Sequence, residues 1–366
     1  MNEATETGVV PDEGNDATAT TTEPRTHRFV FSGDVREYFR IWIVNLALGI
    51  VTLGVYSAWA KVRTQRYFYG HTRLAGAPFE YLAQPLPILK GRIIAVVLFG
   101  SYLLASQFMP LVALVLLVVI SLATPWLVVR GLMFRARYAS WRGLTFRFVG
   151  DYGEAIRYFF LMYMLVPLTL GLIYPYIKYK QKAFVVDNHR FGGRRFVFGA
   201  DASPFFGPYV GAGLSLVGLI VVFVVLVMPA AMGMYASNDA QAEARAELLA
   251  TAYTVTMYLA YFVAWTFLSA RIGNIVYNHT SIDGHHFISS LRARDLLWLY
   301  ASNTIAILAS AGMLIPWAMI RLARYRADHL MLVASGDLET FTAEAKTDVG
   351  AAASEVDSLF DVDIGL

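Results

Sequence analysis

The chain has 366 residues, of which 57% are hydrophobic and 16% are charged, and its formal net charge is +3. Average soluble chains carry about 25% charged residues, so this composition indicates long apolar segments rather than a soluble domain. The sequence contains no cysteine, which excludes disulfide bonds, thiolate catalysis and cysteine-ligated metals.

Both ends of the chain are polar, and they frame one membrane domain. Residues 1–26 are rich in Thr, Glu and Asp without hydrophobic periodicity, which predicts a disordered N-terminal tail. Residues 27–336 contain the long apolar segments and predict a membrane domain built from repeats. Residues 337–366 are acidic and weakly apolar, and they predict a disordered C-terminal tail.

Seven apolar segments are candidates to enter a membrane, since crossing a bilayer takes about 20 mostly apolar residues. They are Tyr38–Ala60, Ile93–Met109, Leu111–Val129, Ile156–Ile177, Val210–Met232, Ala252–Ala270 and Leu296–Ile320. The second and third are separated only by Pro110 and predict a tight helical hairpin. The fifth and sixth, which an acidic connector joins, predict another hairpin.

The first, fourth and seventh segments are repeats of one another, and each carries a helix-breaking glycine. Gly54, Gly171 and Gly312 coincide when the segments are aligned, each two residues after a Thr or Ser. Basic residues flank both ends of each segment, which conflicts with a single crossing. We interpret the three as bent or re-entrant segments that begin and end at the cytoplasmic face. Seven ordinary crossings with a relaxed charge bias are the alternative.

An aromatic residue with a base four positions later closes five of the apolar segments. Residues at i and i+4 share one helix face, so each pair suits a membrane interface, with the ring at headgroup level and the base reaching phosphate and water. The predicted interface anchors are Trp59 with Arg63, Trp126 with Arg130, Tyr176 with Lys180, Phe267 with Arg271, and Trp317 with Arg321. In the first four, a Gly follows the aromatic residue by 17 positions and a Phe follows it by 20.

Short stretches of alternating phenylalanine precede three of the apolar segments. Phe29–Asp34, Phe146–Asp151 and Phe196–Asp201 each predict a half-buried strand that ends in a turn before the next helix. The predicted fold class is therefore an all-α polytopic membrane protein with internal repeats. Two transmembrane hairpins and three Gly/Pro-broken segments are joined in it by short cytoplasmic β-strands.

Charge predicts the orientation of the chain. The loops between segments are rich in Arg and Lys, whereas the connector Ala236–Leu248 is acidic. Cytoplasmic loops carry the positive excess, so the basic loops and both termini are predicted to be cytoplasmic and the connector to face outward. The bases also favour anionic lipid headgroups as partners at the cytoplasmic face. No feature of the sequence indicates a nucleic-acid partner.

The first broken segment resembles a known family. The run TLGVYSAWAKVR, from Thr52 to Arg63, is similar to the signature of the YjgN family of bacterial inner-membrane proteins, and the strand Phe29–Asp34 and the block Trp141–Phe146 fit the same family. The resemblance covers roughly residues 28–335. It implies a multi-pass protein of the bacterial inner membrane without a known activity, and it transfers no catalytic residue.

The sequence shows no constellation typical of an enzyme or a metal site. His71 and His279 occupy one repeat position, and His285 and His286 are adjacent, but no acidic cluster has metal-ligand spacing. Structural roles in turns are favoured for these histidines. The sequence therefore predicts no enzymatic activity, no cofactor and no metal.

Four polar residues in the outer broken segments are the candidate lining of a solute path. Asn45 and Thr52 lie on one helix face, and Asn303 and Ser310 repeat that arrangement. Hydrogen bonds between helices are the alternative role of these residues. Two functional hypotheses remain open at this point: a small-solute transporter or channel, and a non-transporting scaffold or a protein that binds lipids or partners.

Overall fold

A computed structural model describes residues 25–236 and 239–348. Residues 1–24 and 349–366, which hold most of both predicted tails, lie outside the described residues. The elements in chain order are β1 (Arg25–Phe31), α1 (Val35–Val51), α2 (Ser57–His71), β2 (Thr72–Leu74), β3 (Ala77–Tyr81), α3 (Pro85–Phe108), α4 (Pro110–Arg137), β4 (Ala139–Trp141), β5 (Leu144–Phe148), α5 (Tyr152–Phe159), α6 (Leu165–Leu168), α7 (Tyr174–Asp187), β6 (His189–Phe191), β7 (Arg194–Phe198), α8 (Ser203–Val222), α9 (Met228–Tyr235), α10 (Ala240–Asn278), β8 (Thr280–Ile282), β9 (His285–Ser289), α11 (Ala293–Ala309), α12 (Ile315–Asp328), β10 (Leu330–Ala334) and α13 (residues 338–348).

Ten short strands close into an antiparallel barrel in the order β1-β10-β9-β8-β7-β6-β5-β4-β3-β2. Four β-hairpins, β2–β3, β4–β5, β6–β7 and β8–β9, each follow one helix and precede the next. The fifth pair joins β10 to β1, with Ala334 opposite Arg25 and Met331 opposite Arg28. Five equivalent units thus surround one barrel, and the closure leaves no strand edge unpaired.

The closed barrel shows that the predicted all-α fold class is wrong. The phenylalanine patterns predicted three strands, and these correspond to β1, β5 and β7. Four of the others, β2, β4, β6 and β8, are three residues long, which is too short to display an alternation of apolar and polar residues. Six of the ten strand pairs also lie outside the four β-hairpins, and such pairing has no local signature in the sequence.

Within the described residues, four long apolar helices form two hairpins and could cross a membrane by length and composition. The first hairpin is α3 with α4, and the second joins α8 and α9, through a π-helical turn, to α10. The four segments predicted to form transmembrane hairpins lie within these helices. Many of their large apolar side chains are exposed, for example Val96, Leu104 and Val118. Such faces suit contact with lipid, whose tails are as apolar as leucine.

Three shorter helical hairpins, α1–α2, α5–α7 and α11–α12, contain the glycine-broken segments. α1 ends and the chain reverses at Leu53 and Gly54, whose φ angles are +48° and +89°. The N–H of Gly54 donates to the carbonyl of Gly49 at 2.7 Å, which is the bond of a Schellman-type helix end. Gly171 and Gly312 form the same bond in the other two hairpins.

Each short hairpin returns the chain to the barrel beside the strand from which it left. Phe31 at the end of β1 lies opposite Thr72 at the start of β2. Phe148 lies opposite His189 in the same way, and Ser289 lies opposite Leu330. Both ends of every short hairpin therefore meet one end of the barrel.

The last helix of the described residues, α13, covers the other end of the barrel. Leu338, Phe341 and Ala345, at spacings of three and four residues, are buried in one cluster with Leu144 and Phe191 from the strands. This helix falls in the segment that the sequence analysis assigned to a disordered acidic tail. Three buried side chains among acidic neighbours are too few to stand out as a helical pattern in the sequence.

Candidate binding cavity in the barrel lumen

Every strand of the barrel contributes one apolar side chain to a continuous belt around the lumen. The strand register places a phenylalanine of one strand directly opposite a large side chain of the next, five times in all. The ten belt residues are the pairs Phe29–Leu74, Phe79–Trp141, Phe146–Phe191, Phe196–Ile282 and Phe287–Leu332. All ten line one cavity, so the belt faces inward.

Five of the six phenylalanines of the belt are repeat-equivalent, one for each strand pair. Phe79, Phe146, Phe196 and Phe287 each stand three residues after the glycine of their β-hairpin turn. Because side chains alternate along a strand, this constant distance sends every ring to the same side. Neighbouring rings stack: the centroids of Phe29 and Phe79 are 6.1 Å apart, those of Phe146 and Phe196 are 6.4 Å apart, and those of Phe196 and Phe287 are 6.3 Å apart.

The belt encloses a lumen cavity of about 350 Å³. Besides the ten belt residues, its wall includes Tyr277, His285 and Leu330, together with Leu338 and Phe341 of α13. The wall is therefore almost wholly apolar, and aromatic rings make up much of it. Such a surface can bind hydrocarbon through dispersion and the hydrophobic effect.

A second cavity of about 510 Å³, the vestibule, lies at the helical end of the belt. It shares Phe79, Phe146, Phe196 and Phe287 with the lumen cavity, so the phenylalanines separate two adjoining chambers. Its other walls come from the C-terminal ends of α2, α4, α7 and α10 and include Tyr69, Arg135, Ala136, Val185, Val186 and Val276. The vestibule thus connects the lumen with the surfaces of the helices.

Most polar groups around the two cavities already have hydrogen-bond partners within the chain. Thr280 donates its hydroxyl to the carbonyl of Val276 at 2.6 Å. Nδ1 of His189 lies 2.5 Å from the carbonyl oxygen of Val185, and burial lowers the pKa of this imidazole. His189 is therefore neutral at pH 7. Arg135 is the residue of the vestibule wall that keeps a permanent charge.

α13 closes the lumen through apolar and charged contacts. The ring of Phe341 lies edge-on to His285, 4.7 Å between centroids, and stacks on Phe191 of the belt. Arg194, in the first position of β7, is 3.5 Å from Glu344 and 3.2 Å from Asp348 of the helix. A Cβ at Gly192 would stand 2.9 Å from Cβ of Ala345, so the turn of this β-hairpin needs glycine for the helix to approach.

His285 links the belt to the segment that leads into α13. The side chain is 4% exposed, and its Nδ1 accepts a hydrogen bond from the N–H of Ser335 at 3.1 Å. Burial lowers the pKa of His285, which favours the neutral ring that can accept this bond. The hydroxyl of Ser335 donates to the carbonyl of Gly284 at 2.5 Å.

The four residues predicted to line a solute path do not line either chamber. Asn303 is buried between α11 and α12, where its Nδ2 donates to the carbonyl of Ala318 at 3.3 Å and its Oδ1 accepts from Arg321 at 3.2 Å. Asn45 is buried too, and its Oδ1 has no hydrogen-bond partner among the described residues. The role of these two residues in a solute path stays a prediction.

Thr52 and Ser310 lie at the turns of the short hairpins. Thr52 donates its hydroxyl to the carbonyl of Leu48 at 2.7 Å and accepts from the N–H of Tyr56 at 2.9 Å. Ser310 accepts from the N–H of Leu314 at 3.0 Å. Each hydroxyl therefore connects the two helices that meet at a glycine break.

The predicted interface anchors adopt the geometry that their spacing suggests, and their position in a membrane stays a prediction. The guanidinium or ammonium group lies 5.1–5.7 Å from the ring centroid in four pairs, which are Trp126 with Arg130, Tyr176 with Lys180, Phe267 with Arg271, and Trp317 with Arg321. The pair Trp59 with Arg63 lies at the equivalent place on α2.

Histidines at the helix ends have a structural role in the described structure. Nδ1 of His71, His279 and His329 lies 2.8 Å from the carbonyl oxygen four residues earlier in each case. These rings end α2, α10 and α12 just before a strand begins. The repeat in the sequence predicts the shared position of the first two and does not predict the role of His329.

Comparison with known proteins identifies the family of this chain. Residues 26–359 match the family described as bacterial protein of unknown function (DUF898). The inner membrane protein YjgN of Salmonella typhimurium is 25% identical over 356 aligned positions, which cover 86% of this chain and 90% of that protein. The inner membrane protein YjgN of Escherichia coli strain K12 is 32% identical over 124 positions, which cover 34% of this chain and 31% of that protein.

No solved structure matches the chain. The names of the relatives support an inner-membrane location and indicate no catalytic activity. The resemblance to the YjgN family is confirmed, because the matched region includes the barrel and all five helical hairpins. The chain therefore belongs to the DUF898 family of bacterial proteins of unknown function, and it is a membrane protein.

Proposed function

We propose that this protein takes an apolar or amphiphilic small molecule from the bilayer and holds its hydrocarbon part in the barrel lumen. The observation that carries the proposal is the ten-residue apolar belt around a cavity of about 350 Å³. Small-molecule sites are typically concave, mostly apolar and roughly 300–1,000 Å³ in volume. Barrels of about eight strands already leave room for one small ligand, and this barrel has ten.

A hydrocarbon ligand suits this lumen better than an ion or a polar solute does. An ion that enters a protein needs oxygen or charged groups that replace its hydration shell. Phenylalanine, leucine and isoleucine supply none, Tyr277 supplies one neutral hydroxyl, and Nδ1 of His285 already accepts a bond from Ser335. The transport hypothesis depends on four polar residues as the lining of a solute path. None of them lines either chamber: Asn45, Thr52, Asn303 and Ser310.

The helices offer such a molecule a route from the lipid phase. Two of the four helices that wall the vestibule, α4 and α10, are long and apolar enough to cross a membrane. A molecule that moves along their exposed apolar faces reaches the vestibule with little exposure to water. In this proposal the helical hairpins lie in the bilayer and the barrel lies on the cytoplasmic side, as the positive charge of its loops favours.

Photocrosslinking tests whether the lumen binds hydrocarbon. A photoreactive benzoylphenylalanine replaces Phe196, which faces the lumen, and in a matched control it replaces Val197, which is 51% exposed on the outside of the same strand. Membranes that contain either variant are incubated with a long-chain alcohol that carries a terminal alkyne, and they are then irradiated. We expect labelled protein for the variant at position 196 and background labelling for the variant at position 197.

A second lumen position guards against a local folding defect. Benzoylphenylalanine at Phe287 should give the same result as at Phe196, because both rings belong to the belt. If well-folded variants at both positions label no more than the variant at position 197, the lumen does not bind hydrocarbon and the proposal fails.

A further inference from the structure

We propose that the vestibule selects amphiphiles with a negatively charged headgroup. In this proposal Arg135 binds the headgroup, and the tail passes the phenylalanines that separate the vestibule from the lumen. The inference rests on the proposed function and adds the chemical class of the ligand. It concerns carboxylate and phosphate monoester headgroups alike, since a guanidinium binds both through paired hydrogen bonds.

The placement of Arg135 is the first argument for this selection. Arg135 lies in the last turn of α4 and lines the vestibule together with Tyr69 and Phe79. The other residues of that wall are apolar or uncharged at pH 7, so one permanent positive charge faces an apolar chamber. A ligand with an anionic head and a hydrocarbon tail matches both features at once.

The absence of an intramolecular partner is the second argument. The ion pairs of residues 25–236 and 239–348 involve His71, Arg142, Arg194 and Arg294, and none involves Arg135. No hydrogen bond of the described residues engages its guanidinium either. Arg135 therefore keeps all its donors available for a group from outside the chain.

Nearby bases add to the positive potential. Lys61 on α2 is close enough to Arg92 on α3 and to Arg135 for both charges to act on it. The three helices are packed together through Ala58, Val62 and Ile88 with Phe134 beside them, which holds the bases in one region. Arg92 contacts the hydroxyl of Ser57, which is neutral. Neighbouring cations repel one another, and a bound anion relieves this repulsion.

The positions of the two chambers determine which end of the ligand lies in each of them. The vestibule, with Arg135, adjoins the lumen through Phe79, Phe146, Phe196 and Phe287. A headgroup at Arg135 stays near water, since this side chain is exposed, while the tail passes the rings to reach the lumen. The opposite order places a charge among the belt residues, at a large cost in solvation free energy.

The experiment compares headgroups on one tail. The photoreactive residue at position 196 reports occupancy, and the probes are alkyne-tagged hexadecanoic acid, hexadecyl phosphate and hexadecanol in nanodiscs of neutral phosphatidylcholine. Each probe is titrated against the parent protein, Arg135→Gln and Arg135→Lys. Arg137→Gln is the matched control, because Arg137 is exposed in the same helical turn and does not line the vestibule.

We expect Arg135→Gln to raise the half-maximal concentration of both anionic probes about tenfold, which corresponds to about 1.4 kcal/mol. Hexadecanol should be unaffected, and Arg137→Gln should change none of the three. Arg135→Lys should give an intermediate affinity, because an ammonium keeps the charge and loses the paired hydrogen bonds. Equal affinity of the parent protein for acid and alcohol overturns the inference and leaves the proposed function standing. Equal effects of Arg135→Gln and Arg137→Gln also overturn it. Failure of all three probes to label position 196 is instead a failure of the proposed function.

Discussion

The glycine at each helix break has a backbone conformation that other residues rarely adopt. The φ angles of Gly54, Gly171 and Gly312 are +89°, +83° and +90°. A side chain at such a φ is strained even where there is room for it, and a Cβ at Gly54 would meet nothing within 4 Å. Gly49 lies five residues earlier in the interior of α1, also with nothing within 4 Å of an added Cβ.

Replacement by alanine should change the free energy of unfolding in opposite directions at Gly54 and Gly49. Gly54→Ala should lower the free energy of unfolding by about 1 kcal/mol or more, because alanine is strained in the left-handed region. Gly49→Ala should raise it by about 0.5–1 kcal/mol, because alanine loses less backbone entropy in a helix than glycine does. Thermal unfolding in detergent measures both. Destabilisation of equal size by the two variants contradicts the assignment of strain to the turn.

The residues of the belt show what the sequence could and could not predict about the site. The constant distance from a hairpin glycine to Phe79, Phe146, Phe196 and Phe287 is visible in the sequence as part of a repeat. That these rings meet around a cavity follows only from closure of the strands, and closure depends on β10 returning beside β1. Pairing between the first and last strands of a chain leaves no local pattern, so the sequence analysis identified the repeat without its cavity.

At the scale of elements, the structure contains two kinds of helical hairpin, which are long apolar hairpins and short hairpins with a glycine break. The sequence already distinguishes them by the charges that flank them and by the glycine. The long apolar runs that predicted transmembrane hairpins lie in α3, α4, α8 to α9 and α10, because sustained hydrophobicity is a strong signal. Strands of three to five residues give a weak signal, which explains why the barrel was missed. α13 was missed because only Leu338, Phe341 and Ala345 anchor it.

The docking of α13 should depend on pH through His285. The neutral ring of His285 accepts a hydrogen bond from the N–H of Ser335, and burial lowers the pKa of the ring. His285 therefore binds a proton more readily when the chain is unfolded or α13 is undocked than when α13 is docked. The contribution of His285 is therefore complete above its ordinary pKa of about 6.5 and is lost as pH falls below that value. Asp283 opposes this shift in pKa, whereas His286 and His27 reinforce it.

Hydrogen–deuterium exchange of residues 338–348 tests this dependence. After correction for the intrinsic exchange rate, exchange should be faster at about pH 5.5 than at about pH 7.5. His285→Gln should remove most of the difference, because glutamine does not titrate. His286→Gln is the comparison and should keep most of the difference, since His286 is exposed on the outside of the same strand and burial is the larger cause of the lowered pKa of His285. A pH dependence that survives in His285→Gln shows that His285 is not its cause and contradicts the prediction.

At the scale of the whole molecule, the barrel and the tips of the long hairpins lie at opposite ends of the long apolar helices. α3 leaves from β3 and α4 returns to β4, which pair with each other, so the turn at Met109 is the point of this hairpin farthest from the barrel. The basic loops identified in the sequence lead into and out of the barrel strands, and the acidic connector stands at the tip of the second long hairpin. Two residues of this connector, 237 and 238, lie outside the described residues.

This arrangement predicts a sidedness that single cysteines can report, because the chain has none of its own. A cysteine at Gln107, exposed near the tip of the first long hairpin, should react with a membrane-impermeant maleimide in intact spheroplasts. A cysteine at Thr26, exposed at the start of β1, should react only after the membrane is made permeable. The physical reason is the positive charge of the barrel-side loops, which favours retention in the cytoplasm. Labelling of Thr26→Cys in intact spheroplasts, with Gln107→Cys protected, would place the barrel outside the cytoplasm, and the vestibule would then draw its ligand from the outer leaflet.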